Sequence, residues 1–304
     1  MRHQHAITIL LVSVFFITAC RPKAKAQPAA PKQNKDSSLS IKQEASGDSY
    51  DLEDPTHTWK MPSELVEISG NAWIAPDELL VIEDLHPVLY LLKLQDSMGV
   101  IEKKIPFAKD AGQKFDIEDV TVEGNTAYAL WSHGSIYKIN NWNSKPVIKL
   151  IPTFLNKKNN TEGICYSPNL KTLLVACKED AAMEDEKKST RAIYQFDINA
   201  DSLRKEPFMV IQKNDLKQND GRKIKFYPSA IAVHPLTGDI YILSTKETKC
   251  MAVFSGDGKL KSFRYIQKTE MAQPEGICFS PDGILYISTE GKNGNPAYIF
   301  AFGK

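Results

Sequence analysis

From about residue 58 the chain alternates short β-branched and aromatic runs with turn residues, and the alternation recurs in units. Each unit opens on a short phrase: Ile68-Ser69-Gly70-Asn71, Ile117-Glu118-Asp119-Val120, Thr161-Glu162-Gly163-Ile164, Pro228-Ser229-Ala230-Ile231 and Pro274-Glu275-Gly276-Ile277. A turn follows, as at Ser167-Pro168-Asn169 and Ser280-Pro281-Asp282-Gly283, then a second run: LLVIED at 79–84, AYALWS at 127–132, LLVACK at 173–178, IYILST at 240–245 and LYISTE at 285–290. Pro, Asp, Asn and Gly between two such runs are hairpin chemistry. A third run follows in every unit, and a fourth, such as IEKKIPF at 101–107 or PVIKLIP at 146–152, in all but the last.

The reference positions Gly70, Asp119, Gly163, Ala230 and Gly276 lie 49, 44, 67 and 46 residues apart. Four short strands in such a unit make a propeller blade. The pattern predicts an all-β chain, a β-propeller of four-stranded antiparallel blades, with five blades. One spacing is too long, through the charged loop after Lys178 and the polar stretch 213–225. These read as insertions, with a sixth blade as the alternative. The last unit stops at its third strand, and residues 56–61, THTWKM, are free to supply the fourth. That strand would close the ring and cover its open edges.

The N-terminus has a different pattern. Ala6 to Ala19 form an apolar run after a weakly basic start, short for a bilayer span but suited to a signal peptide. It ends in Ile17-Thr18-Ala19-Cys20. A small residue before a lone Cys at this place resembles the lipobox of bacterial lipoproteins. The resemblance implies cleavage after residue 19, diacylation of Cys20 and stable anchoring by several acyl chains. Residues 20–50 hold almost no large apolar side chain and read as a tether. Residues 51–304 form the propeller domain. The expected location is the bacterial cell envelope, facing the periplasm or the outside, and the expected membrane contact is the N-terminal lipid.

Composition narrows the function. The 304 residues carry 38 Lys+Arg and 37 Asp+Glu; residues 1–50 hold 7 of the basic and 3 of the acidic side chains, leaving 31 and 34 for the body. A slightly acidic body argues against nucleic acid as a partner. A small molecule or a protein is the ligand to expect. Cys165 and Cys278 take equivalent core positions; Cys177 and Cys250 also lie in strands, and no zinc spacing is present. Hairpin register pairs Cys165 with about Leu174, so all four are expected as buried free thiols.

The innermost strand of a propeller blade lines the central channel. Glu118, Glu162 and Glu275 each open such a strand, with Ser69 and Ser229 at the equivalent positions. Converging carboxylates repel one another unless protonated or paired with a cation. Their hard oxygens suit Ca²⁺ or Mg²⁺. Each could instead fasten its blade to the next through backbone N–H groups, or serve as a base. Loops after the second strands bring Asp84, His86, His133, Glu179, Glu247 and Glu290 to the same face. Acidic groups around one mouth attract cations.

The phrase Glu67-Ile68-Ser69-Gly70, with Thr161-Glu162-Gly163-Ile164 and Pro274-Glu275-Gly276-Ile277, resembles the SdiA-regulated (YjiK-like) family of bacterial β-propellers over residues 58–304. It is also similar to calcium-dependent lactonase and NHL-type propellers. Ser69 and Ser229 depart from the glutamate pattern. The resemblance implies fold and envelope location. The residues point first to a lipid-anchored binding or scaffold module with a divalent cation at the channel mouth, non-catalytic. A metal-dependent hydrolase of the lactonase or phosphoesterase kind is the alternative, with His133 or Asp84 activating water.

Overall fold

The structure is a computed structural model and describes residues 50–109, 114–184, 190–212, 216 and 224–303. The signal-peptide run, Cys20 and all of the tether but Tyr50 lie outside the described residues. Among the described residues there is no α-helix, and no helix long and apolar enough to cross a membrane.

The chain enters through β1 (His57–Lys60) and a 3-10 turn over Ser63–Leu65. The first blade is β2 (Ile68–Ala75), β3 (Glu78–Glu83), β4 (Val88–Gln95) and β5 (Met98–Pro106). The second is β6 (Ile117–Glu123), β7 (Thr126–Trp131), β8 (Ile136–Asn140) and β9 (Val147–Ile151). The third is β10 (Thr161–Ser167), β11 (Thr172–Cys177) and β12 (Thr190–Asp197), whose outer side pairs with both β13 (Ser202–Leu203) and β14 (Met209–Gln212). The fourth is β15 (Pro228–Val233), β16 (Ile240–Ser244), β17 (Cys250–Phe254) and β18 (Leu260–Tyr265). The fifth is β19 (Pro274–Phe279), β20 (Leu285–Thr289) and β21 (Tyr298–Phe302), completed by β1 from the other end of the chain.

The closing strand predicted over 56–61 is therefore β1, antiparallel to β21 with Trp59 opposite Ile299. Lys60 also bridges to Met98 of β5, which joins the fifth and first blades at the perimeter. The innermost strands neighbour one another in a closed cycle, β2–β6–β10–β15–β19–β2. Most of the sequence on which a sixth blade would rest, residues 185–189, 213–215 and 217–223, lies outside the described residues.

Why these runs become strands is clear from where their side chains go. Along β3, Leu80 and Ile82 pack into the seam with the second blade, while Leu79 and Val81 pack into the seam with the fifth. A strand covered on both faces must be apolar at every position rather than at alternate ones. Among the described residues five such clusters fill the seams between neighbouring blades. Burying a large aliphatic or aromatic side chain contributes about 1.5–3 kcal/mol, so the seams dominate the stability of the ring. The four cysteines are buried free thiols, and Cys165 lies opposite Leu174, as hairpin register predicts.

Tyr50, read from composition as the last residue of the tether, packs into the ring. Tyr50 is fully buried in the seam of the fourth and fifth blades, donates to the Gly283 carbonyl at 2.5 Å and meets His234 Nε2 at 3.0 Å.

Candidate functional site: an acidic channel mouth

Every innermost strand starts with the same irregularity. The ladder slips between Ile68 and Gly70, Ile117 and Asp119, Thr161 and Gly163, Pro228 and Ala230, and Pro274 and Gly276. One residue per blade is left out of the pairing: Ser69, Glu118, Glu162, Ser229 and Glu275. These are β-bulges, which bend a strand and re-aim a side chain. In three of the blades a glycine follows, Gly70, Gly163 or Gly276, and it has a packing reason. A Cβ on Gly163 would stand 3.0 Å from the backbone nitrogen of Ile231, and one on Gly70 would stand 2.7 Å from Asp119 Cα. At these glycines adjacent innermost strands approach too closely for a side chain, whereas the equivalent positions of the second and fourth blades carry Asp119 and Ala230.

The two serines at the bulge do not face the mouth as free ligands. Both are buried, Ser69 donating to the Ile117 carbonyl (2.8 Å) and Ser229 to the Pro274 carbonyl (3.1 Å). They fasten one blade to the next. Asp119 does the same from the following position, accepting from the N–H groups of Val120 and Ile164 at 2.8 Å each. The serines and Asp119 make the kind of blade-to-blade fastening that the sequence offered as one alternative for the glutamates.

Glu118, Glu162 and Glu275 act on one another electrostatically. Burial pushes the Glu118 carboxyl well above the usual carboxylate range, with Glu162, Asp116 and Glu275 adding to the rise. Burial likewise lifts Glu275, helped by Glu162 and Glu290. The group that holds them together is Lys178, the residue after β11. Its ammonium pairs with Glu162 Oε2, and Asn160 donates to Glu162 Oε1 at 2.6 Å. Burial raises Glu162 and Lys178 lowers it, with a net upward shift. For Lys178, burial favours the neutral amine, but Glu162, Glu275 and Glu118 outweigh it, and the net shift is upward.

A second acidic group flanks this one. Asp84 and Glu290 follow the second strands of the first and fifth blades. Burial raises Asp84 to about 6, with Glu67, Glu83 and Asp116 repelling its charge. Burial raises Glu290 to about 7, with Glu67 and Asp84 repelling it and Lys178 opposing. One carboxylate oxygen of Asp84, Oδ1, is buried with no hydrogen-bond partner among the described residues. Such an atom carries a desolvation cost of about 1–3 kcal/mol, more when charged.

Other predicted mouth residues are engaged elsewhere. Glu179 pairs with Lys246, and Glu247 with Lys225, on the rim between the third and fourth blades. His133 meets Ser135 Oγ at 3.3 Å and packs on Trp131. His86 is bound to Glu83 at 2.8 Å. The opposite end of the channel is apolar: a cavity of about 350 Å³ lies between the far halves of the innermost strands, where Trp73, Tyr166 and Phe279 take equivalent places.

Sequence reading missed Lys178, Glu67 and Asp116. The signal was positional. The residues just after the second strands are Asp84, Ser132, Lys178, Thr245 and Glu290, and the residues just before the bulged pair are Glu67, Asp116, Asn160, Tyr227 and Gln273. Aligned this way, a single lysine stands in a ring with two acids.

The oxygen-rich donor set matches the chemistry of Ca²⁺ or Mg²⁺. Its arrangement does not: the Lys178 ammonium takes the counter-ion role among Glu118, Glu162 and Glu275. Among the described residues no group of three or more His, Cys, Asp or Glu is placed to hold a metal ion.

Similar folds occur in solved structures of enzymes. Glutaminyl cyclase from Myxococcus xanthus matches with a TM-score of 0.54 at 12% identity, over 82% of this chain and 95% of that one. The PQQ-bound aldose sugar dehydrogenase of Streptomyces coelicolor matches with a TM-score of 0.50 at 11% identity, over 84% and 98%. At such identities the likeness is one of fold. No curated protein shows significant sequence similarity to the chain. The SdiA-regulated family profile matches residues 65–300, nearly all of the ring described above. The chain therefore belongs to the SdiA-regulated family, and its fold is a β-propeller.

Proposed function

We propose that the protein is a lipid-anchored module of the bacterial cell envelope that binds a cationic ligand at the acidic mouth of its channel. The observation that carries this reading is the asymmetry of the mouth. Lys178 serves Glu118, Glu162 and Glu275, whereas Asp84 is repelled by Glu67, Glu83 and Asp116 and keeps a buried oxygen with no partner among the described residues. A cation entering beside Asp84 and Glu290 would relieve repulsion that the chain leaves in place. Among the described residues no three carboxylates are grouped to ligate a metal directly, so the cation proposed is one that keeps its hydration or its own organic shell. Ca²⁺ or Mg²⁺ held through its water shell and an organic ammonium group both meet that description. The lipid at Cys20 would keep the mouth close to a membrane.

A hydrolase using the same mouth is the second reading, favoured by one observation. Carboxyl groups near 6 and 7 at Asp84 and Glu290 suit proton transfer at neutral pH. The His133 ring packs on Trp131 rather than joining those carboxylates, which leaves Asp84 as the base this reading would use.

Calorimetric titration with Ca²⁺, Mg²⁺ and tetramethylammonium, each at fixed ionic strength, tests the binding reading. Saturable heat from any one of them, lost in Asp84→Asn, is the expected result. A ligand at 100 times its Kd would also add about 2.7 kcal/mol to the stability. Identical null titrations for all three cations would reject the cation site.

A further inference from the structure

The second blade differs from the rest of the ring in charge. From Gly124 to Thr161 the chain holds five lysines (Lys138, Lys145, Lys149, Lys157 and Lys158) and not one aspartate or glutamate, inside a body where acids outnumber bases. The same stretch holds four of the exposed large hydrophobic side chains. Val147 is 60% exposed, Ile148 41%, Leu150 46% and Phe154 39%. Val147, Ile148 and Leu150 lie on β9, the outermost strand of the blade, and they point to both faces of it. Four of the five residues of β9 are exposed, and beyond β8 the strand pairs with no other among the described residues.

Elsewhere the ring blunts such an edge. β5 carries Glu102, Lys103 and Lys104, and it also meets β1 at Met98. β18 carries Lys261 and Arg264. Charges on an outer strand discourage strand-to-strand pairing. β9 has only Lys149, and that lysine shares the Asp201 carboxylate with Lys138, so one acid from the third blade answers two bases. Among the described residues Lys145, Lys157 and Lys158 form no ion pair.

We infer that β9 and the loop after it form a docking face for an anionic lipid surface. Exposed aliphatic side chains between lysines are the composition of an interfacial membrane contact: apolar groups enter the headgroup boundary and ammonium groups meet the lipid charge. Charge decides between this occupant and a second copy of the chain. Pairing β9 with β9 would bring two acid-free lysine clusters together, and like charges placed opposite each other destabilise a sheet. The proposal adds a contact beyond the acyl anchor at Cys20 and does not depend on that anchor.

The test uses the chain from residue 20 onward with Cys20→Ser, so that no acyl chain contributes. Its sedimentation with phosphatidylglycerol-containing vesicles is compared with that of two variants. One combines Val147→Ser, Ile148→Ser and Leu150→Ser; the other combines Lys145→Gln, Lys157→Gln and Lys158→Gln. The tether, with its own lysines, is common to all three proteins, so differences report on the second blade. Each variant is expected to lose about tenfold in partitioning, the lysine variant's deficit shrinking as salt rises. Phosphatidylcholine vesicles should capture little of any protein. Equal partitioning of all three proteins overturns the proposal by assigning binding to the tether. So does a lipid-free dimer, seen by analytical ultracentrifugation, that the serine variant dissolves while vesicle binding stays unchanged. Because the lysine variant changes only exposed polar side chains, it still decides the matter if the serine variant unfolds. Failure here leaves the cation site untouched, since none of these residues is at the mouth.

Discussion

Two halves of one channel mouth solve the same electrostatic problem in different ways. On the side of the third blade, the buried Glu162 and the part-buried Glu118 and Glu275 repel one another, and Lys178 supplies the missing positive charge from the adjacent strand end. On the side of the first and fifth blades, Asp84 is repelled by Glu67, Glu83 and Asp116, and Glu290 by Glu67 and Asp84, with Lys178 in part relieving Glu290. The first half is a closed structural network. The second stores repulsion, which a ligand or a proton can release. A carboxylate of this mouth is thus neutralised or left under repulsion according to whether the chain brings a counter-ion beside it.

Removing the counter-ion makes the largest break in that contrast. Lys178→Met takes the ion-pair partner from the buried Glu162, leaving it only Asn160, and removes the counter-charge from the part-buried Glu118 and Glu275; breaking a buried pair by deleting one member costs about 3–5 kcal/mol. The glutamates already titrate above their usual range, so the deficit depends on pH. A carboxyl whose folded pKa is raised favours the fold when protonated, and that stability is lost as pH rises through the folded value. The variant should therefore be much less stable than the parent at pH 8 and recover part of the difference at pH 5. Urea unfolding at both values measures this. An unchanged midpoint at pH 8 would mean that Lys178 holds nothing together.

A smaller effect of opposite sign sharpens the other half. Asp84 and Glu290 titrate at about 6 and 7 in the fold against 3.8 and 4.5 ordinarily. Between those values the folded state binds more protons than the unfolded one, so these groups make stability fall as pH rises. Asp84→Asn removes a charge that the fold resists. It should gain about 1–2 kcal/mol at pH 8, after allowance for solvent screening of a half-buried group, and nothing at pH 3. A loss of stability at pH 8, or an equal gain at both values, would show that Asp84 is not held under repulsion. Stabilisation by removal of a polar group is common at functional sites, where stability is given up for binding.

The ring was legible in the chain because its cause is local. Strands buried on both faces must be apolar throughout, and runs such as LLVIED or IYILST between turn residues carry that requirement in plain sight. Closure by β1 was legible for the complementary reason: one unit lacks a strand and one strand lacks a unit. The mouth was legible only in part. Glu118, Glu162 and Glu275 could be placed by repeat position, but the bulge that aims them exists only once strands pair. Ser69 and Ser229 occupy the same bulge and turn to the next blade's carbonyl groups, since a short hydroxyl reaches the seam. Lys178 was hidden because it closes an otherwise apolar run and reads as the end of a strand. Tyr50 was hidden because its neighbours are polar, and a single aromatic side chain carries no periodicity.

The smallest effect compares burial alone, with the charge pair held constant. Lys246 and Glu179 form an ion pair like that of Lys178 and Glu162, but at the rim, where both side chains meet solvent. An exposed pair of this kind is worth about 0–1 kcal/mol and is weakened by salt, because each partner keeps most of its hydration and must be ordered to meet the other. Glu179→Gln should therefore shift the urea midpoint barely at low salt and not at all at 1 M NaCl. The Tyr227 ring beneath the Lys246 ammonium would retain the lysine in place. If Glu179→Gln cost as much as Lys178→Met, the rim would be as tightly coupled as the channel. The distinction between a dry network inside the mouth and a wet one around it would then fail, and with it the reason for placing the cation beside Asp84 rather than anywhere else on the acidic face.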